Sequence, residues 1–244
     1  MINRRSFFQY FLYGLALGTP FKGEIFAHDG NSQQQKTLKN NSNALIIVDV
    51  QNDFCPGGTL PVENGDTIIK TINSLQKSFD IIILTQDWHP KNHSSFSTNN
   101  PGRETFSFKQ MPYGKQVIWP PHCIIGTYGA QFHKSLDVSK ASMIIRKGFR
   151  ENIDSYSGFF ENDRLTHTGL AGILKNLEIK KVFIAGLALD FCVHYTAIDS
   201  AKLGYQTYVM EETTLPVNLG SSVADTFNNF KKYGVHYGSI KEFF

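Results

Sequence analysis

One cysteine of the chain stands where a thiol could act as a nucleophile. Cys192 follows the apolar run KVFIAGL (181–187) after a short loop, at the start of a helix-like segment (192–203). Unpaired backbone N–H groups in the first turn of a helix lower the pKa of a thiol and can hold an oxyanion. The position therefore predicts a reactive thiolate, although most free cysteines are simply small buried residues. Cys55 and Cys123 lie in loops beside prolines and are poorer candidates.

Two charged residues at the ends of other apolar runs could assist this thiol. Asp49 follows ALIIV (44–48), and Lys147 lies at the end of SMIIRKG (142–148). A carboxylate can accept the proton of a nearby thiol, and an ammonium group supplies an electropositive field. Taken singly, Asp49 could cap a turn and Lys147 could be an exposed lysine. The prediction of a catalytic trio depends on all three residues meeting.

A carboxylate and several histidines form a candidate metal site. Asp87 and His89 are two residues apart just beyond an apolar run, so in extended chain they point the same way. His93 follows four residues later, and the segment WPPHC places His122 behind two prolines that stiffen its loop. One carboxylate with two or three imidazoles suits one divalent metal ion, with zinc as the first choice and iron(II) or manganese(II) as alternatives.

Short apolar runs alternate with helix-like segments along the chain after residue 43. This alternation predicts an α/β fold with a parallel sheet covered on both faces. Catalytic residues of such folds lie at the carboxyl ends of the strands. The predicted strands cover residues 44–50, 80–87, 142–148, 181–187, 206–212 and, more weakly, 235–239, and the predicted helices cover about 65–78, 167–177, 192–203 and 220–233. The long stretch 88–140 breaks the alternation and is expected to be functional.

Composition and charge exclude several partners. The 244 residues contain 24 Lys and Arg and 21 Asp and Glu, for a net charge of +3, which does not suggest a nucleic acid or a membrane surface as partner. Three widely spaced cysteines form neither a disulfide framework nor a paired zinc motif. A small molecule is the expected ligand.

The first residues read as a targeting segment. Arg4 and Arg5 precede a short, interrupted apolar region, and NRRSFF resembles a twin-arginine export signal. We predict a signal peptide over residues 1–27, a polar linker over 28–43 and one domain over 44–244. The apolar region is too short for a stable membrane span. Export to the periplasm is the expectation, and a cytoplasmic protein with a mobile or membrane-anchoring N-terminus is the alternative.

Five motifs, in order over roughly residues 44–240, resemble the nicotinamidase/pyrazinamidase branch of the isochorismatase-like cysteine hydrolases. They are IIVDVQNDFCPGGTLPV, TQDWHP with the following H and SF, WPPHCIIGTYGAQFH, KGFRENIDSYSGF and GLALDFCV. The resemblance implies a three-layer Rossmann-like fold with a six-stranded parallel sheet between helices, in a protein that is commonly a homo-oligomer. One departure is Leu189, which stands where the family usually has threonine.

The resemblance also implies a role for each matching residue. Cys192 would be the nucleophile, Asp49 the base and Lys147 its partner. The metal ligands would be Asp87, His89 and His122, with His93 matching a fourth ligand that only some members use. A cis peptide bond between Leu187 and Ala188 would direct the N–H of Ala188, with that of Cys192, at the oxyanion. The residues matching the ring pocket are Phe54, Trp119 and Tyr156.

The expected reaction is hydrolysis of nicotinamide to nicotinate and ammonia through a thioester. Another carbamoyl or amide hydrolase of the same superfamily is the alternative. A haloacid-dehalogenase-like phosphatase is disfavoured because that chemistry needs two aspartates two residues apart, whereas Asp49 and Asp53 are four apart. A dehydrogenase is disfavoured because no G-x-G-x-x-G follows the first strand.

Overall fold

The computed structural model describes residues 42–244 of the chain. The predicted signal peptide and nearly all of the linker therefore lie outside the described residues. Asn43, at the end of the predicted linker, already belongs to the first strand. The strands are β1 (Asn43–Val48), β2 (Ile81–Asp87), β3 (Phe108–Met111), β4 (Gly114–Val117), β5 (Met143–Lys147), β6 (Lys181–Leu187), β7 (Gln206–Leu215) and β8 (His236–Gly238).

Six of these strands form one parallel sheet in the order β5-β2-β1-β6-β7-β8, which confirms the predicted sheet. The two faces of β1 show why. Leu45 and Ile47 pack into one apolar cluster, whereas Ala44, Ile46 and Val48 pack into the other. Continuous apolar strands of this kind are stable only when helices cover both faces of the sheet.

The helices are α1 (Ile69–Leu75), α2 (Leu170–Asn176), α3 (His194–Lys202), α4 (Ser222–Tyr233) and the short α5 (Ile240–Phe243). The predicted helix over 192–203 has a different beginning from the one expected. Residues Leu189–Val193 form a π-helical turn that runs directly into α3. Cys192 therefore lies in this π turn and not in the first turn of an α-helix.

The irregular stretch 88–140 contains a two-stranded antiparallel hairpin, β3–β4, which the sequence reading did not predict. Its strands are only four residues long, with two polar residues side by side in each, so they carry no clear alternating pattern. The hairpin matters for the site because Gln116, on β4, is fully buried. In the described part of the chain, no helix has both the length and the apolar character needed to cross a membrane.

The site lies at the point where the strand order reverses. β1 pairs with β2 on one side and with β6 on the other, and the chain reaches β6 only after β5 has been added at the far edge. Crevices form at the carboxyl ends of strands at such reversal points. Asp49 follows β1 and Cys192 follows β6, so the fold itself places these two residues at one rim.

Candidate active site

Three side chains that are far apart in sequence converge at this rim. The Nζ atom of Lys147 lies 2.8 Å from Oδ2 of Asp49 and 3.4 Å from Sγ of Cys192. A carboxylate oxygen of Asp49 lies within 4.8 Å of the sulfur. The side chains of Asp49 and Lys147 are completely buried. A nucleophile, a proton acceptor and a cation are therefore gathered in a place from which water is excluded.

Backbone and neighbouring groups hold the base in position. Asp49 turns the chain directly after β1 with a φ of 48°. Its N–H donates to Oγ1 of Thr85 at 3.2 Å, and the Thr85 hydroxyl donates to Oδ1 of Asp49 at 2.6 Å. Lys147 also donates to the carbonyl of Ser155 at 2.8 Å and makes a short contact with Asp87. One lysine thus links the catalytic trio to the candidate metal site.

The expectation of a lowered thiol pKa is wrong for this structure. Burial raises the pKa of Cys192 well above its ordinary value, and the negative charges of Asp49 and Asp87 add to this, whereas Lys147 opposes it. Burial also raises the pKa of Asp49, although Lys147 counteracts it. Burial alone would lower the pKa of Lys147, but the negative charges of Asp49 and Asp87 outweigh this effect and raise it. The thiol is therefore protonated in the free protein and stands beside a carboxylate able to accept its proton.

Asp87, His89 and His122 form a buried three-residue cluster whose ligand atoms lie within 4.8 Å of one another. Oδ2 of Asp87 is 3.5 Å from Nε2 of His89 and 3.9 Å from Nε2 of His122. Burial alone would raise the pKa of Asp87, but Lys147 and the two imidazoles hold it well below its usual range. Burial lowers the pKa of His122 to about 4, which leaves its imidazole neutral and able to bind a metal.

The backbone orients both imidazoles toward this cluster. Nδ1 of His89 pairs with the carbonyl of Gly148 at 2.8 Å, and Nδ1 of His122 pairs with the carbonyl of Pro120 at 2.8 Å. Each ring therefore carries its proton on Nδ1 and presents the lone pair of Nε2 to the ion site, as metal-binding histidines generally do. Gly148 has a φ of 66°, and a Cβ there would lie 2.4 Å from the His89 ring. The donor set fits one divalent metal ion.

His93 lies beside this cluster, with its ring centroid 4.5 Å from that of His89. Nδ1 of His93 pairs with the Ser95 hydroxyl at 2.8 Å, and Nε2 pairs with the carbonyl of Ile153 at 3.3 Å. Both ring nitrogens thus have protein partners. In this arrangement His93 supports the neighbouring loops, and binding an ion would require it to give up one of these contacts.

A small apolar pocket opens onto Cys192. The pocket is narrow, with a free volume of about 30 Å³. The predicted ring-binding residues Phe54, Trp119 and Tyr156 all line it. The other lining residues are Leu60, Asp87, His122, Asp154, Ala188, Phe191, Cys192 and Val217.

Hydrogen bonds hold the aromatic wall of this pocket rigidly. The Tyr156 hydroxyl accepts from Nε1 of Trp119 at 3.0 Å and from Nε2 of Gln116 at 2.7 Å. Phe191 packs edge-on against Trp119 with centroids 4.9 Å apart. Because both acceptor positions of the Tyr156 oxygen are used, its own proton remains available for an acceptor in the pocket.

The residues around the predicted oxyanion site are also close to the thiol. The peptide bond between Leu187 and Ala188 is cis, as the resemblance implied, and both Ala188 and Cys192 line the pocket. Leu189 instead packs into an apolar core cluster and does not line the pocket. Its replacement of threonine therefore adds to the core and makes no direct contact with a ligand there.

Asp190 ties the cysteine turn to the segment that closes the pocket. Its carboxylate accepts from the N–H groups of Val217 and Asn218, both at 2.8 Å, and from the Ser222 hydroxyl at 2.5 Å. Val217 lines the pocket. Asp190, which lies two residues before Cys192 in the chain, thus positions one wall of the pocket.

Sequence reasoning missed three buried polar residues of this site. Thr85 holds Asp49, Gln116 holds Tyr156, and Asp154 lies within 4.8 Å of the imidazoles of His89 and His93. Asp154 belongs to the segment KGFRENIDSYSGF quoted above. Its position two residues before the predicted pocket residue Tyr156 could have indicated a carboxylate at the site. Nothing in the sequence marks Gln116, because the polar hairpin around it resembles an exposed loop.

Comparison with known proteins identifies the family of the chain. The isochorismatase domain model matches residues 43–242, and the chain belongs to this family. Within it, the chain is similar to the nicotinamidase of Acinetobacter baylyi, with 50% identity over 195 residues that cover 80% of this chain and 91% of the relative.

Solved structures point to the same branch. A structure described as Acinetobacter baumanii nicotinamidase pyrazinamidase has a TM-score of 0.83 and 46% identity, and the match covers 84% of this chain and all of that one. The pyrazinamidase of Pyrococcus horikoshii in complex with zinc has a TM-score of 0.67 and 33% identity, covering 82% of this chain and 99% of that chain.

Proposed function

We propose that this chain is a metal-dependent amidohydrolase that converts nicotinamide to nicotinate and ammonia through a cysteine thioester. The observation that carries the proposal is the meeting of Asp49, Lys147 and Cys192 beside a buried metal-binding set. The similarity to nicotinamidases supports the choice of substrate.

The reaction follows from the positions of the protein groups. Asp49 takes the proton of Cys192, and the sulfur attacks the amide carbon of the substrate. The N–H groups of Ala188 and Cys192 would stabilise the oxyanion that forms. The protonated Asp49 then gives its proton to the leaving nitrogen, the carbon–nitrogen bond breaks, and ammonia departs. Water, deprotonated by Asp49, cleaves the thioester to release nicotinate and restore the thiol.

Lys147 stabilises the ionised form of the base against the effect of burial. Because the ammonium group contacts both Asp49 and the sulfur, it stabilises negative charge on either one. The proton can therefore move between these two groups without leaving an unpaired charge in a buried site. The raised pKa of Cys192 fits this role, since the thiol is protonated at rest and its proton passes to Asp49 during the reaction.

Asp87, His89 and His122 would hold the metal ion, with zinc as the first choice and iron(II) or manganese(II) as alternatives. A divalent ion held there would supply Lewis-acid chemistry to the ring of the substrate and to water. The pyridine ring would lie among Phe54, Trp119 and Tyr156, which face the cysteine across the pocket. Orientation of the amide toward Cys192 is the main consequence.

An ammonia-release assay tests the proposal directly. The purified chain is assayed with nicotinamide, pyrazinamide and carbamoyl substrates, and the metal content of the same sample is measured. Release from nicotinamide that disappears with a chelator and returns with added metal supports the proposal. Release from carbamoyl substrates alone would assign the chain to the alternative amidohydrolase activity of the superfamily.

The phosphatase alternative lacks its second aspartate at the site. The Asp53 carboxylate accepts from the N–H of Cys123 at 2.7 Å and from that of Thr59 at 3.2 Å. Asp53 therefore holds the loop that follows His122, and both of its carboxylate oxygens already accept backbone hydrogen bonds. Phosphate esters included in the same assay should give no product.

We also propose that the protein is exported and forms a homo-oligomer. The basic pair and short apolar region over residues 1–27 support export. Cell fractionation tests this, and a full-length chain found only in the cytosol would contradict it. Light scattering on the purified protein tests the assembly, and a monomeric mass would reject it.

A further inference from the structure

One buried carboxylate of the pocket has no role in the reaction described above. Asp154 lies in the loop between β5 and α2, is 2% exposed and lines the pocket. One of its oxygens lies within 4.8 Å of a ring nitrogen of both His89 and His93. It therefore lies beside the metal-binding set without belonging to the Asp87, His89 and His122 cluster.

Two N–H donors hold the Asp154 carboxylate in its ionised form. The backbone N–H of Ser155 donates to Oδ1 at 2.8 Å, and Nε2 of Gln116 donates to Oδ2 at 2.7 Å. Gln116 is itself fixed, because Asn162 donates to its Oε1 at 3.1 Å. Donors that have no acceptor capacity favour the carboxylate over the neutral acid.

With the imidazoles neutral, as metal binding requires, the buried charges of the site do not balance without a cation. Asp49, Asp87 and Asp154 supply three negative charges, and Lys147, which contacts the first two, supplies one positive charge. Within residues 42–244, no lysine or arginine forms an ion pair with Asp154. The excess of two negative charges is what one divalent cation would neutralise, and uncompensated buried charge is strongly unfavourable.

We propose that Asp154 is a positioning residue for the metal ion. Its carboxylate supplies the second uncompensated negative charge of the site and thereby sets the affinity for a divalent cation. Asp87, His89 and His122 make the direct bonds, and Asp154 acts from outside that set through its charge and through metal-bound water. The inference rests on the metal site assigned above and is independent of the identity of the amide substrate.

The test measures zinc affinity of the full-length protein by competition with a fluorescent chelator, in the absence of substrate. Asp154→Asn removes the charge at nearly constant size and should weaken zinc binding by about 10–100-fold, the range typical for loss of an outer partner. Asp199→Asn is the matched control, since Asp199 is also buried but pairs with Arg164 and does not line the pocket. Its zinc affinity should equal that of the wild type.

A charge-swap variant separates charge from packing. In Asp154→Asn the new amide would face the Gln116 amide, donor against donor, which could disturb folding. The double variant Asp154→Asn/Gln116→Glu gives the new amide an acceptor and returns the negative charge to a neighbouring position. Its zinc affinity should recover by about tenfold or more relative to the single variant. Asp154→Ser is a second variant without the charge, and circular dichroism of the metal-free proteins shows which of them fold.

Wild-type zinc affinity in a folded variant that lacks the charge would overturn the proposal. A charge-swap variant that folds but binds zinc as weakly as Asp154→Asn would also overturn it, since packing and not charge would then explain the loss. Neither result depends on ammonia release, so failure of the proposed amidase activity would be recognised separately.

Discussion

The ammonium nitrogen of Lys147 lies 3.4 Å from the sulfur of Cys192, and both residues are buried. A buried ammonium group needs negative charge nearby, and here two carboxylates and a potential thiolate provide it. The lysine therefore links proton transfer at the cysteine to the charge of the neighbouring metal site. Several measurable consequences follow from this relationship and from the pocket around it.

Replacing the nucleophile should separate binding from chemistry. In Cys192→Ala, the loss of the sulfur should lower ammonia release from nicotinamide by about 10⁴-fold or more, as removal of a nucleophile typically does. Zinc content and ligand affinity should remain near wild type, because the metal-binding side chains and the aromatic wall are intact. Cys55→Ala is the matched control and should keep full activity. Undiminished ammonia release from Cys192→Ala would refute the assigned nucleophile.

Neutralising the base should make the thiol more reactive while abolishing turnover. Burial and the charge of Asp49 raise the pKa of Cys192, so the thiol is protonated at pH 7. Because only the thiolate is alkylated, the alkylation rate of the wild type should rise about tenfold for each unit by which the pH is raised. Asp49→Asn removes one negative charge, which shifts the thiol pKa downward. Alkylation of Cys192 by iodoacetamide, followed by mass spectrometry, should therefore be faster at pH 7 than in the wild type.

Ammonia release from the same Asp49→Asn protein should be lost, since no group remains to carry the proton to the leaving nitrogen. Ammonia release retained at the wild-type rate in Asp49→Asn would contradict its assignment as the base.

Removing one metal-binding imidazole should weaken metal affinity selectively. His122→Ala leaves two of the three donors and should reduce zinc affinity by more than about 100-fold, beyond the range seen for outer partners. His236→Ala, at an exposed position on β8, is the matched control. The measurement is zinc content after dialysis against a chelator of known affinity. Equal zinc retention in both variants would contradict the assigned site.

The hydroxyl of Tyr156 should contribute to stability as well as to ligand binding. Tyr156→Phe removes the acceptor that Trp119 and Gln116 share; Nε2 of Gln116 still has Asp154 and Val117 as acceptors, but the buried N–H of Trp119 loses its partner. The expected loss is about 1–3 kcal/mol of unfolding free energy, measured by urea denaturation. Tyr195→Phe removes a hydroxyl from a ring that packs on Tyr156 with centroids 5.2 Å apart. It should change stability far less, and an equal loss in both would argue against the shared acceptor.

Local patterns were enough to predict the sheet and the chemistry of its rim. The apolar run before Asp49 and the one before Asp87 showed which strands are buried and what ends them. The hairpin containing Gln116 was not predicted because its short strands have no local pattern, and its order depends on contacts with distant segments. The π turn at Cys192 was not predicted because π and α turns differ in their hydrogen bonds and not in residue composition.

The sequence by itself determined which groups could react, since residue types and their order along the chain specify a thiol, a carboxylate, a lysine and a set of imidazoles. Only the tertiary structure decided their protonation. A helix start alone would lower the thiol pKa, but burial beside two carboxylates raises it. Likewise, only the fold brings Asp154 within reach of His89, 65 residues earlier in the chain. Desolvation and charge–charge interactions depend on distance in space, which local sequence does not encode.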